Sequence, residues 1–242
     1  MEMLQCLHSL SFLFLTVISS SDVKVLVARL EARYRFAGTL QATFLERYTE
    51  NGRVVRVEAG IAYFRRPGKM RWEYESPEKN LFLVDGKSAW FYVPADHTVT
   101  RVPAKESTDW RTPLALLAGE MKVSRVCARI RPAINETPES SDHVVLFCEL
   151  RGAGSEPRKQ GSQDPPPQTG DAGEAVFFEI VKDSGELVRV LVRSAGGVGI
   201  EFHFTNWQVD PHVDDSLFHF HAPPGVAIVN GELPAGNRGL NP

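Results

Sequence analysis

Histidines, cysteines and one glycine-lysine-serine run are the residues of this 242-residue chain whose types are suited to chemistry. His219 and His221 stand two apart, so a strand would put both imidazoles on one face, and His203 and His212 lie nearby in sequence. A metal needs further ligands, and no cysteine or suitably spaced carboxylate completes the set. The four histidines therefore read as solvated strand surface, and no metal site is expected. Gly86-Lys87-Ser88 has the ending of a phosphate-binding loop, but the required first glycine falls at Leu81. GxGxxG, GxSxG, HExxH and CxxC patterns are all missing from the sequence. The expectation is a protein without enzymatic activity and without a cofactor.

Cysteine usage depends on the compartment. Residues 10–18 (LSFLFLTVI) form a nine-residue uncharged run followed by Ser19, Ser20 and Ser21. That is the length and order of a signal-peptide core with a small-residue cleavage zone, and about half of what a membrane span needs. The preceding segment has no Lys or Arg and carries Glu2, so a buried N-terminal core helix is the competing reading. On the export reading, residues 1–21 are a signal peptide cleaved near Ser19 to Ser21, and the mature chain reaches an oxidising compartment. Cys6 leaves with it, and Cys127 and Cys148 remain. Residues 123–130 and 144–150 read as two strands joined by a polar loop, which would set positions 127 and 148 opposite each other. A cross-strand disulfide and two separate buried thiols are both compatible with that arrangement.

Stepping out from these residues, Asp22 can cap a helix whose apolar positions Val23, Leu26, Val27, Leu30 and Tyr34 share one face. The period then becomes two. Leu40, Ala42 and Phe44 alternate with polar neighbours, Asn51-Gly52 turns the chain, and Val55 to Tyr63 alternates again. Met70, Trp72 and Tyr74 share a strand face, strands follow at 81–84, 89–93 and 99–102, and Thr112-Pro113 opens a short helix at 114–118. Strands resume at 123–130, 144–150, 175–181, 187–193, 200–208 and 217–221. Residues 151–173 contain five Gly, four Pro and no Val, Ile, Leu, Phe, Tyr or Trp. Such a stretch cannot offset its own ordering entropy and reads as a flexible insertion. Residues 230–242 read as a disordered tail, leaving 22–229 as one domain. The expected fold is mainly β with α: a curved antiparallel sheet or incomplete β-barrel of about 10–11 strands with a helical lid.

Charge narrows the partners. The balance of 27 Lys+Arg against 30 Asp+Glu lacks the basic excess that a nucleic-acid binder uses, so no nucleic acid is expected. Instead, Phe44, Met70, Trp72, Tyr74, Phe82, Trp90, Tyr92, Phe177, Phe202 and Phe204 occupy strand faces that would converge inside a curved sheet. The leucine helix would lie across the opening. A filled interior is a core; one held open is a dry pocket able to take acyl chains. Periodicity does not separate the two.

Two blocks carry a family resemblance: FRRPGKMRWEYESP at residues 64–77 and LVDGKSAWFYVP at residues 83–94. With TPLALLA at 112–118 and the closing segment from Asn206 through Leu217-Phe218-His219-Phe220 to Val226, the chain from about Val23 to Val229 resembles the outer-membrane lipoprotein carrier family, LolA. The resemblance implies an incomplete barrel over a hydrophobic cavity that binds lipoprotein acyl chains and shuttles acylated lipoproteins from the inner to the outer membrane. It implies a periplasmic monomer, loaded by an inner-membrane ABC-type lipoprotein-releasing complex and unloaded to an outer-membrane lipoprotein acceptor. Arg66 matches the latch whose guanidinium holds the lid backbone, although an ordinary strand-end arginine is the plainer reading and Arg65 competes for the role. Trp72 matches a cavity aromatic, Met70 a position near the mouth, and Leu114, Leu116 and Leu117 the lid helix. Related half-barrels also sense lipids or lipoproteins and regulate envelope stress signalling, which is the alternative function.

Overall fold

The computed structural model describes residues 20–104, 114–119, 122–150, 175–194 and 196–231. The proposed export segment up to residue 19, the 151–173 insertion and the tail beyond residue 231 lie outside the described residues, as do Thr112 and Pro113.

The first helix, α1 (Ser20–Tyr34), has Asp22 in its first turn and Arg33 in its last, the charge order that suits a helix dipole. It buries Val23, Leu26, Leu30 and Tyr34, one face at three-and-four spacing. Twelve strands follow among the described residues: β1 (Thr39–Glu50), β2 (Arg53–Arg65), β3 (Lys69–Ser76), β4 (Leu81–Val84), β5 (Ser88–Val93), β6 (Thr98–Pro103), β7 (Cys127–Pro132), β8 (His143–Leu150), β9 (Ala175–Val181), β10 (Leu187–Arg193), β11 (Val198–Val209) and β12 (Ala227–Asn230). Between β6 and β7 the described residues include two one-turn helices, α2 (Ala115–Ala118) and α3 (Val123–Val126). All strands join one open sheet in the order β12-β6-β5-β4-β3-β2-β1-β11-β10-β9-β8-β7. Neighbours pair antiparallel except β12 with β6, which is parallel.

Period-two alternation divides the sheet into two faces. The inner face runs through Ala89 and Val84, Phe82 and Trp72, Ala62 and Ala42, Phe204 and Phe202, then Val190, Phe178 and Leu146, cross-strand partners or same-face neighbours in register. These residues and the buried face of α1 form one apolar cluster. The turn before β10 lies directly on α1: a Cβ on Gly185, at φ +69°, would stand 2.5 Å from the Arg29 carbonyl carbon. Only a glycine fits both that backbone and that approach.

Three local expectations change. Residues 123–126 are helical rather than extended: Val123, Val126 and Cys127 follow a three-and-four spacing as well as an alternating one, and the Glu31 carboxylate accepts the Val123 N–H at 2.9 Å. Residues 215–218 form a 3₁₀ turn capped by Asp214, which accepts from the Ser216 N–H at 2.8 Å. Finally, the antiparallel meander gains the parallel β12 at a point where the disordered tail was expected to begin.

Cys127 and Cys148 are joined by a disulfide, with Cα atoms 5.3 Å apart. The bridge is diagonal rather than directly cross-strand, because an irregularity after Cys127 pairs it with Leu150 while Cys148 pairs with Ile130.

Candidate functional site

The inner face concentrates its aromatic rings around Trp72. This fully buried indole on β3 meets Phe44 at 4.9 Å between ring centroids, Phe202 at 5.1 Å, Phe64 at 5.6 Å and Phe204 at 6.1 Å. Its Nε1–H has no hydrogen-bond partner among the described residues. One polar pair interrupts the lining: the Tyr74 hydroxyl donates to Glu46 Oε2 at 2.8 Å, and Glu46 is buried on the inner face of β1.

One turn of the sheet makes contact with both α1 and α2. β2 ends in Arg65, and the following Arg66-Pro67-Gly68 leads into β3. The Arg66 guanidinium donates from Nη2 to the Tyr34 carbonyl at 2.7 Å and from Nη1 to the Arg35 carbonyl, so it closes the C-terminus of α1. These are carbonyls that a helix end leaves without an internal partner, and a fork of fixed donors satisfies two at once. The Arg66 N–H donates to Gly38 O at 3.0 Å, and the Gly68 N–H donates to Ala118 O, the last residue of α2, at 2.8 Å. Burial lowers the Arg66 pKa from its ordinary value, with the nearby Asp210 carboxylate opposing that effect. Asp210 Oδ1 itself accepts the Gly38 and Thr39 N–H groups at 2.7 and 3.1 Å. The joint between α1 and β1 is thus held from both sides by opposite charges.

Further along, Tyr34 anchors α1 to the sheet. Its ring packs 5.3 Å from Trp207 and its hydroxyl accepts the Leu187 N–H at 3.0 Å. Burial pushes its pKa well above the ordinary tyrosine value. Tyr34→Phe is expected to lower unfolding free energy by about 1–3 kcal/mol, since it strands a buried backbone donor. Urea denaturation checks this, and a loss near zero would mean that the bond contributes nothing.

The register sorts the residues singled out by sequence. Phe44, Met70, Trp72, Tyr74, Phe82, Phe202 and Phe204 share the inner cluster, and Leu114 and Leu117 pack into it. The Leu116 side chain lies outside the described residues. Trp90, Tyr92 and Phe177 belong to the other face. Trp90 and Tyr92 pack against Phe220, at 5.1 and 5.8 Å, while Phe177 packs against Phe147 at 5.4 Å. The cause is parity: Phe82 pairs with Phe91 and Leu146 with Phe178, so Phe91 and Phe178 take the inward positions next to Trp90 and Phe177. Arg65 also turns outward, to the Val213 carbonyl and Asp215, both at 3.0 Å, and over the Phe218 ring. Glu46, Phe64 and Phe178 are site residues that sequence reading missed; each lies in phase with an inward neighbour already named.

The outer face is chemically different. Arg189 lies between Glu179 at 2.7 Å and Glu201 at 3.1 Å, and Arg47 pairs with Glu201 at 2.6 Å. Beside them runs a groove of about 650 Å³ lined by arginines, glutamates and glycines, among others. Its charges are already paired, and it suits polar surface packing rather than an apolar guest. No cluster of metal-ligating side chains occurs among the described residues.

Comparison with known proteins extends this picture. The family model described as Outer membrane lipoprotein carrier protein LolA matches residues 36–136. The outer-membrane lipoprotein carrier protein of Methylococcus capsulatus is 38% identical over 204 residues, covering 83% of this chain and 86% of its own. The protein of the same description from Chromobacterium violaceum is 30% identical over 207 residues, covering 85% of this chain and 88% of its own. Among solved structures, an uncharacterized conserved protein from Thermus thermophilus shares the fold with a TM-score of 0.51 and 14% identity, over 86% of this chain and 99% of its own.

Proposed function

The chain belongs to the outer-membrane lipoprotein carrier family, LolA, and from that premise we propose that it carries lipoproteins through the periplasm with their acyl chains held against the inner face. The family consists of carriers, not enzymes. On this reading the protein is a periplasmic monomer that works without a cofactor. An inner-membrane ABC-type complex loads it, and an outer-membrane acceptor unloads it.

The observation that carries the proposal is the aromatic lining around Trp72, covered by helices that a few hydrogen bonds hold down. Each buried CH₂ is worth about 0.8 kcal/mol, so a long acyl chain gains on the order of 10 kcal/mol by leaving water. Binding must nevertheless be reversible, and opening the cover offsets part of that gain. The unpartnered Trp72 N–H provides a donor for an ester or amide carbonyl at the head of a chain.

Intact-mass spectrometry of the protein purified from the envelope fraction tests the proposal. The expected result is a one-to-one complex with intact acylated lipoprotein. Its absence under conditions that retain hydrophobic ligands contradicts the reading.

A further inference from the structure

Helix α1 has a second apolar line besides the one it buries. Val25, Ala28 and Ala32 on the helix, and Phe36 in the turn two residues past its end, follow one another at spacings of three, four and four, and all are exposed, Val25 by 51% and Phe36 by 88%. Helical geometry sets Val25, Ala28 and Ala32 opposite Val23, Leu26, Leu30 and Tyr34, which face the sheet, and Phe36 continues the row beyond the helix end. Exposed cations flank it on both sides, Lys24 and Arg35 along one edge and Arg29 and Arg33 along the other.

The nearby acidic groups do not cancel all of that charge. Arg29 donates to the Lys182 carbonyl at 2.6 Å and lies 3.8 Å from Asp183, while Arg33 pairs with Glu186 at 2.5 Å. Glu31 is turned toward the Val123 N–H, and Asp22 sits at the start of the helix. Lys24 and Arg35 make no ion pair among the described residues.

We propose that this face of α1 docks on an anionic lipid bilayer, with the helix in the interfacial plane and Phe36 inserted among the headgroups. A narrow apolar row between two cationic rows suits a negatively charged, laterally fluid surface. Phe36 is the exposed aromatic in this row, and it supplies the burial that charge alone does not. The helix itself cannot cross: among the described residues no helix is long and apolar enough to span a membrane. Docking also brings the bilayer next to the Arg35 carbonyl that Arg66 holds. The proposal goes beyond the carrier function and does not depend on it, since the surface contains none of the inner-face residues.

Co-sedimentation of the full chain with vesicles tests it, using phosphatidylcholine alone and phosphatidylcholine enriched in phosphatidylglycerol, without any lipoprotein. Expected are preferential binding to the anionic vesicles and loss of that preference at high salt. Phe36→Ser should lower the partition coefficient about tenfold, and Lys24→Gln with Arg35→Gln roughly thirtyfold. Because these side chains are exposed, each variant is expected to keep the wild-type circular dichroism and Tm. Residues 1–19 are common to every variant, so differences between variants report on α1. Equal binding to both vesicle types, no binding at low salt, or wild-type binding by Phe36→Ser overturns the proposal. A lipoprotein-transfer assay in solution is unaffected by any of these outcomes and judges the carrier function separately.

Discussion

Arg66→Leu is expected to load acylated lipoprotein as well as wild type does and to pass it to an acceptor at least about tenfold more slowly. The two donors of the Arg66 guanidinium cap the Tyr34 and Arg35 carbonyls at the end of α1, and the Arg66 N–H fixes Gly38. Charge-assisted hydrogen bonds contribute about 1.5–3 kcal/mol each. These bonds are formed in the structure described. If a cargo-filled state has them broken, closure helps to expel the guest, and removing the latch shifts the balance toward retention. A differential of about 1.4 kcal/mol already changes the equilibrium tenfold. Leucine keeps much of the side-chain volume but neither donor. Arg66→Lys should fall between the two, because one ammonium cannot reproduce the planar fork. Transfer kinetics to a purified acceptor provide the measurement, and wild-type transfer by Arg66→Leu would remove Arg66 from the latch role.

The second large effect concerns the sheet itself. Gly60→Ala is expected to destabilise the protein by about 3 kcal/mol or more, at the upper end of what overpacking usually costs. A Cβ at residue 60 would stand 1.9 Å from the Glu73 carbonyl oxygen and 2.8 Å from its carbon. Both are backbone atoms, so no rotamer change relieves the contact. Gly60 pairs with Phe44 on one side and Tyr74 on the other, next to a register irregularity between β2 and β3. The close approach lets the Phe44 and Tyr74 rings meet edge to face at 5.1 Å over a position with no side chain. Equilibrium denaturation with urea checks the size of the loss. A change below about 1 kcal/mol would show that β2 and β3 separate at little cost there.

Much of this architecture was readable in the residues, because alternation along β1 and β3 has a parity that buries Leu40, Ala42, Phe44, Met70 and Trp72 together; in β2 the alternating set from Val55 to Tyr63 turns outward, and Gly60, Ala62 and Phe64 are the buried residues. Parity failed where both faces of a strand are apolar. In β5, Ala89 and Phe91 point inward while Trp90 and Tyr92 point outward, and the outer pair has its own cover in Phe220. Periodicity cannot recognise a second covering layer in advance. At β9 the signal existed: Glu179 is in phase with Phe177, which argues for Phe178 as the inward ring. Glu46 escaped notice for the opposite reason, since a lone carboxylate in an apolar row becomes interpretable only when its partner, Tyr74, is located. The bonds from the Arg66-Pro67-Gly68 turn to α1 and α2 are long-range contacts between side chain and backbone or between backbone groups. Spacing along the chain cannot specify such contacts; the resemblance implied an Arg66 guanidinium on the lid backbone, whereas it reaches the end of α1 and the bond to the leucine helix comes from Gly68.

On the proposed carrier function, acyl chains rather than the protein part of a lipoprotein are what the inner face binds. Titration of the purified protein with one lipoprotein in matched acylated and acyl-free forms tests it directly, with Trp72→Ala as the altered lining. Saturable one-to-one binding of the acylated form, weakened by Trp72→Ala, together with no measurable binding of the acyl-free form, is the predicted result. Equal affinity for the two forms would contradict it.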